Sequence, residues 1–380
     1  MCAGDWCCAD GDPELDGFPI HVLVHNVANL STKPWGGDRV LQVVIDGPHS
    51  VRVDEVPDSV RPGPDGAVVA VEATAICGSD LHFYDGDIPV GAGIPVGHEF
   101  IGTVVDVGPD VHRFRVGDRV LTASVAGCGH CAGCATGDPV TCVHGPRVFG
   151  SGALPGGQAS FVAVPSADFQ MLVIPEGISD EAALLLTDNL STGWAGAKRA
   201  DIPPGGTVVV IGLGAVGLCA VRSALALGAG RVLAADPVAG RRALAASFGA
   251  TPIEGPTVAA VAEATSGLGA DAVIDAVALD ATLNDAFGSV RAGGTVSVIG
   301  VHNLDPYPLP ILGALFRSVT LRMTTAPVHQ TWHELVPLVA NGRLATDHIF
   351  TDHFSLAAAP EAYAAAAARR AETIKVMMHP

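Results

Sequence analysis

Basic residues are scarce in this chain. Its 380 residues include 21 Lys and Arg against 39 Asp and Glu, a formal net charge of −18. That excludes nucleic acid and anionic membrane as partners, since both are bound through a basic surface. Long apolar runs are also missing: none reaches the roughly 18 residues that cross a bilayer. No basic segment precedes an apolar core at the N-terminus, where Asp5, Asp10, Asp12, Glu14 and Asp16 stand instead, so a signal peptide is not expected. Charged residues make up only 16% and hydrophobic ones 49%, which excludes disorder on the whole-chain scale. The cysteines do not form an even set. Nine are present, and four crowd between Cys128 and Cys142, which suits a metal better than disulfides. A cytoplasmic protein with reduced thiols is expected.

The length allows two domains, and the excess of Ala, Gly and Val points to α/β layering. Residues 1–39, with Cys2, Cys7, Cys8 and several prolines, read as a disordered extension; regular pattern begins near Val40. Residues 40–180 carry short strand signals broken by Gly and Pro, at Ala67–Ala73, Ile101–Val107, Arg119–Ala123 and Ala159–Val164. They predict a mostly β domain with metal loops. Residues 181–324 alternate apolar runs (Val208–Ile211, Val232–Ala235, Ala272–Ala276, Val296–Ile299) with helical stretches (Ala215–Leu227, Arg241–Phe248, Val258–Thr265, Leu283–Val290). That alternation predicts a doubly wound parallel sheet. Residues 325–380 are too few for a domain. Two helical stretches, Thr331–Ala340 and Pro360–Arg370, and a strand, Ile374–Met378, are expected to return to the first domain.

Val208–Ile211 runs into Gly212-Leu-Gly214-Ala-Val-Gly217 and then a helix, and Asp236 ends the next strand. In that context the glycines permit a tight turn and close approach of a pyrophosphate, which the helix N-terminus can receive. Asp236 can accept hydrogen bonds from ribose hydroxyls and repels a 2′-phosphate, which favours NAD over NADP. Arg241 and Arg242 nearby pull slightly the other way.

Cys128, Cys131, Cys134 and Cys142 can close tetrahedrally on one Zn²⁺ and hold a loop; an iron–sulfur cluster is the alternative. Cys77 and His98 are a soft thiolate and an imidazole, also suited to Zn²⁺. The candidate third ligand is Asp188, in the segment L-L-L-T-D-N-L-S-T-G-W; a helix-capping aspartate is the alternative. Glu99, beside His98, is a supporting group or an alternate ligand. Ser79 and His82 lie between the first two ligands and are able to pass a proton. His302, His329, His333 and His348 have no ligand spacing and read as structural or surface residues.

Together these features resemble the zinc-dependent medium-chain dehydrogenase/reductase family. The resemblance covers about Val40 to Pro380. It rests on C-G-S-D-L-H at Cys77–His82, G-H-E-F-I-G at Gly97–Gly102, G-D-R-V at Gly117, the four-cysteine lobe, Asp188 with Thr192-Gly193, and the glycine turn with Asp236. It implies a GroES-like catalytic domain built from both chain ends and a Rossmann domain between them. It implies two zinc ions per chain, with Cys77, His98 and Asp188 as ligands of the catalytic one, and NAD contacted by Thr192 and by Lys375 at the pyrophosphate. An aspartate as third ligand resembles the formaldehyde dehydrogenase branch. The short stretch from Cys142 to Gly212 resembles microbial homo-oligomeric members, tetramers more than dimers.

The expected reaction interconverts an alcohol and an aldehyde or ketone by hydride transfer. Zinc lowers the pKa of the alcohol, and Ser79 passes its proton through the nicotinamide ribose to His82. Two other readings stand beside this one: a formaldehyde dehydrogenase or dismutase that holds NAD tightly, and a non-catalytic NAD-binding protein on the same scaffold. The substrate is a small alcohol or aldehyde whose pocket is walled by loops such as Tyr84–Pro95.

Overall fold

The computed structural model describes residues 40–380 except 58, 369 and 371. The expectations for residues 1–39, with Cys2, Cys7 and Cys8, lie outside the described residues.

Two large sheets organise the chain. The first is mostly antiparallel and runs Met171–Val173, Arg119–Thr122, Glu99–Val107, Ala67–Ile76, Lys375–His379 and Phe350–Ser355, with Phe161–Val164 also paired to Ala67–Ile76. The last strand of the chain thus sits beside an early one: Met377 pairs with Ala75, and Met378 with Thr74. The second sheet is parallel. Its order is Thr251–Pro252, Arg231–Ala235, Thr207–Ile211, Ala270–Asp275, Val290–Val298, Thr320–Met323. In chain order that is third, second, first, fourth, fifth, sixth, the doubly wound arrangement expected from the alternating pattern. The order reverses between Thr207–Ile211 and Ala270–Asp275, where a crevice opens at the strand ends. The Val-rich run Thr207–Ile211 is almost wholly buried because helices cover both faces of such a sheet.

A pair of helices, Asp180–Thr187 and Asn189–Arg199, joins the sheets. Residues 182–187 are all buried, because the largest apolar cluster combines Leu184, Leu185 and Leu186 with Ile101 and Leu121 of one sheet and Val208 and Val210 of the other. A helix apolar on every side belongs in such a position. Its last carbonyls are satisfied from outside the helix. Leu186 O accepts from Trp332 Nε1 at 3.0 Å and from Ser191 Oγ at 2.9 Å, and Thr187 O accepts from Ser124 N at 3.2 Å. The helix stops there, and Asp188 forms the break between the two helices with φ −156° and ψ −73°.

Five helices depart from the pattern read in the sequence. Gly78–Asp85 carries Ser79 and His82, and its eight residues are too few for a periodic signal. Tyr84 and Asp85 therefore close a helix, and Ile94–Pro95 is a short strand, so Tyr84–Pro95 is not a single loop. Ala167–Gln170, Asp180–Thr187, Asn189–Arg199 and Ile311–Phe316 are likewise absent from that pattern.

Candidate active site

Helix Gly78–Asp85 begins at Cys77, whose backbone N–H donates to Asp80 Oδ2 at 2.9 Å. The same carboxylate reaches His98: Asp80 Oδ1 is 3.4 Å from Nδ1. It therefore turns the other ring nitrogen, Nε2, toward Ser79 Oγ at 3.3 Å and Asp188 Oδ2 at 4.0 Å. A carboxylate behind one nitrogen is how a ligating imidazole is held with its second nitrogen free. Asp80 is in turn fixed by Gln158 Nε2 at 3.2 Å, and Gln158 by Tyr363 Oη at 2.9 Å. None of Asp80, Gln158 and Tyr363 was singled out in the sequence. The C-x-x-D spacing of Cys77 and Asp80 is a helix-start signal that marks the first of them.

Ligand atoms of Cys77, His98 and Glu99 lie within 4.8 Å of one another. Asp188, the expected third ligand, stands at the edge of this cluster and makes no side-chain cap to the helix that follows. The two carboxylates weighed for the third position, Asp188 and Glu99, thus both stand beside the Cys77–His98 pair. Glu99 is 0% exposed and lies behind the wall of the cavity, with Oε1 accepting from Lys375 Nζ at 2.6 Å and from Asn189 Nδ2 at 3.1 Å. Lys375 borders the cavity, and its ammonium donates to Glu99, because a carboxylate buried this deeply needs an opposite charge.

The charges point one way. Burial pulls the His98 imidazole down, yet Asp80 and Cys77 outweigh it and hold the group well above its ordinary value. Burial raises the Glu99 carboxyl; Lys375 opposes the rise and Asp188 adds to it. Glu99 Oε2 is buried without a hydrogen-bond partner. A thiol and three carboxyl groups thus surround one imidazole and one ammonium, with lone pairs unused. This donor set of sulfur, nitrogen and oxygen fits a divalent cation such as zinc.

One cavity of about 590 Å³ is lined by Cys77, Ser79, His82, His98, Asp188, Thr192 and Lys375 on one side, and by Gly212, Gly214, Gly217, Asp236 and Arg241 on the other. Of the Tyr84–Pro95 stretch only Asp87 and Ile88 border it. Ser79 and His82 lie three apart on their helix and share a face. His82 Nδ1 is 3.1 Å from Asp87 Oδ2.

The glycine turn has the expected form. Gly212 has φ +85°, and a Cβ on Gly217 would overlap the carbonyl oxygen of Gly212. Around a Cβ on Gly214 there is nothing within 4 Å, so that position faces open space. Asp236 is pinned beside it, Oδ2 accepting from Leu213 N at 2.7 Å and Oδ1 from Val238 N at 2.8 Å. Arg242 donates to Asp236 O at 2.8 Å, and Arg241 Nη2 reaches Thr373 O at 3.4 Å.

The four sulfurs of Cys128, Cys131, Cys134 and Cys142 all lie within 4.8 Å of one another, with Cys128–Cys134 and Cys131–Cys142 at 3.9 Å. Four Zn–S bonds of about 2.3 Å give tetrahedral edges of about 3.8 Å, so the lobe also fits zinc. Of the histidines set aside in the sequence, His302 pairs with Asp280, and His329 stacks on Phe169.

Residues 63–176 match the alcohol dehydrogenase GroES-like domain, and residues 215–341 match the zinc-binding dehydrogenase domain. The chain belongs to the zinc-dependent medium-chain dehydrogenase family. It is 58% identical to the probable zinc-binding alcohol dehydrogenase of Mycobacterium tuberculosis over 338 residues, covering 89% of this chain and 88% of that one. Among solved structures it resembles the alcohol dehydrogenase TADH from Thermus sp. ATN1, with a TM-score of 0.83 and 36% identity, covering 89% and 99% of the two chains. A zinc-binding dehydrogenase of Sinorhizobium meliloti solved with NADP has a TM-score of 0.77 and 29% identity, covering 90% and 99%. As a medium-chain dehydrogenase the protein is an alcohol oxidoreductase, with a GroES-like part and a Rossmann-type parallel sheet. Among the described residues no helix is long and apolar enough to cross a membrane.

Proposed function

We propose that this medium-chain dehydrogenase is an NAD-linked, zinc-dependent enzyme interconverting an alcohol and an aldehyde or ketone. The observation that carries the reading is the shared cavity, which borders both the Cys77–His98–Asp188 group and the Gly214–Asp236 crevice. Cys77, His98 and Asp188 would hold the reactive zinc, and Cys128, Cys131, Cys134 and Cys142 a structural one. When bound, zinc supplies a Lewis acid and the nicotinamide takes up or gives the hydride.

The protein's own residues do the rest. Ser79 Oγ stands on the cavity wall beside His98 Nε2, placed to accept the hydroxyl proton. On accepting that proton Ser79 gives up its own, and His82, one helical turn on along the same cavity wall, would take up the released proton at its ring, which Asp87 steadies. Thr192 borders the same space and is assigned to the cofactor. Glu99 holds its charge behind the ligands and touches no substrate. Asp236 is anchored through two backbone N–H groups, so its charge stays where a 2′-phosphate would have to sit; this supports NAD. Residues 40–180 with 325–380 form the catalytic domain in this reading, and residues 181–324 the dinucleotide domain.

The aspartate at position 188 also supports a second reading, the formaldehyde dehydrogenase or dismutase type. Nicotinamide that co-purifies with the protein would favour it. Exposed Ile311, Leu312, Leu315 and Phe316, next to the sheet-edge strand Thr320–Met323, support a homo-oligomer, read as a tetramer. Light scattering of the purified protein tests this. All cysteines among the described residues are free thiols, in keeping with a cytoplasmic site.

The test is a panel of alcohols and aldehydes with NAD and NADP, followed by absorbance of the reduced cofactor, with zinc counted per chain. Two zinc ions and NAD-linked turnover are expected. Cys77→Ser is expected to abolish turnover and keep NAD binding; unchanged turnover would refute the zinc-dependent reading.

A further inference from the structure

Asn189 is the first residue of helix Asn189–Arg199, and it is 1% exposed. Its side-chain nitrogen lies 3.1 Å from Glu99 Oε1, 3.3 Å from Asp188 Oδ1 and 4.0 Å from Cys77 Sγ. All three neighbours are acceptors that carry or share negative charge. The amide must therefore present its nitrogen to them, since its oxygen would face three anionic groups. That oxygen, Oδ1, is buried with no partner. Leaving it so costs free energy, and the two N–H bonds gained on the other side offset the cost.

The contacts are selective about oxygen atoms. Asn189 takes one oxygen of each carboxylate. On Glu99 it shares Oε1 with Lys375 Nζ at 2.6 Å, so two donors draw that group back. On Asp188 it shares Oδ1 with Thr192 Oγ1 at 3.3 Å, which leaves Oδ2 turned toward His98 Nε2 at 4.0 Å. A neutral amide does this without adding a positive charge that would compete with a cation for the same ligands.

We propose that Asn189 is a positioning residue of the metal centre, whose amide holds Glu99 back and turns the free oxygen of Asp188 toward the metal. The inference rests on the reading of Asp188 as a zinc ligand. Groups that orient a ligand in this way change metal affinity by about 10- to 100-fold when removed.

The test measures zinc affinity of the reactive site in the full chain by competition with a chromophoric chelator, together with the visible spectrum of the cobalt-substituted protein. Asn189→Ala and the isosteric Asn189→Asp are compared, and retention of the four-cysteine zinc reports that each variant is folded. The expected result is a 10- to 100-fold weaker reactive site in both variants, a shifted cobalt band, and little further loss when Asn189→Ala is added to Asp188→Ala. Wild-type affinity and spectrum in Asn189→Asp would overturn the proposal. So would an equal loss from Asn189→Ala with and without Asp188, which would mark a packing effect. Asp188→Ala with unchanged affinity would remove Asp188 as a ligand, and that result is seen without any Asn189 variant.

Discussion

Lys375 Nζ and Glu99 Oε1 meet at 2.6 Å although 276 residues separate them, and both side chains are buried. The ammonium comes from the last strand of the chain and the carboxylate from Glu99–Val107, on opposite flanks of the strand Ala67–Ile76. Removing one partner strands the other. Lys375→Met is expected to cost about 3–5 kcal/mol, because it leaves a buried carboxylate uncompensated. Burial already holds the Glu99 carboxyl above its ordinary value, and losing Lys375 raises it further. An acid raised in the folded state contributes stability at low pH and loses it as pH climbs through the folded value. The deficit of Lys375→Met should therefore be smaller at pH 5 than at pH 8. Adding Glu99→Gln should recover much of it. Chemical denaturation of the single and double variants at both pH values checks this.

The glycine turn separates a folding role from a binding role. A Cβ at Gly217 overlaps the carbonyl of Gly212, while one at Gly214 meets nothing within 4 Å. Gly217→Ala is expected to lower Tm clearly, at a cost of about 1–3 kcal/mol or more for overpacking. Gly214→Ala is expected to leave Tm unchanged and weaken NAD binding about tenfold or more, since the added methyl fills the space a pyrophosphate would take. Melting curves and NAD titration on the two proteins distinguish the cases.

Asp236 makes the cofactor preference testable through a ratio. Both of its oxygens accept backbone N–H bonds, so any substitution loosens the turn and weakens NAD and NADP together. The charge acts only on the difference between them. Asp236→Asn is expected to lower the NAD-to-NADP ratio of kcat/KM by about tenfold, the equivalent of about 1.4 kcal/mol. An unchanged ratio would mean the carboxylate does not read the 2′ position.

Much of the site was legible because its parts are local. Cys128 to Cys142 lie within fifteen residues, and the turn from Gly212 to Gly217 follows its strand directly. The alternation of strand and helix gave the parallel sheet, since that pattern depends on neighbours in sequence. Contacts made at a distance were not legible. The Lys375–Glu99 pair requires the antiparallel pairing of Met377 with Ala75, which no local pattern encodes. Asn189 reads as an ordinary polar residue until the break at Asp188 turns it into the cluster. Gln158 and Tyr363 reach Asp80 only once three separate segments have packed together.

His329 gives the protein a weakness in acid. Its ring stacks on Phe169 at 4.2 Å and lies 5.0 Å from Trp332, and although the residue is partly exposed, both ring nitrogens are buried without partners. Burial lowers its pKa to about 3. In the unfolded chain it titrates near 6.5, so the folded state binds the proton less well. A base depressed in this way contributes full stability above about pH 6.5 and loses it progressively as pH falls toward the folded value. The loosening should begin next to the four-cysteine lobe. Phe169 packs against Gly129 there, and Gln330 Nε2 donates to Thr136 O at 3.1 Å. His329→Phe keeps the aromatic stack and removes the titrating group. It is expected to flatten the fall in Tm between pH 7 and pH 5 while changing Tm little at pH 7.5. Melting curves of the two proteins across that range measure the effect, and parallel curves would show that His329 does not set it.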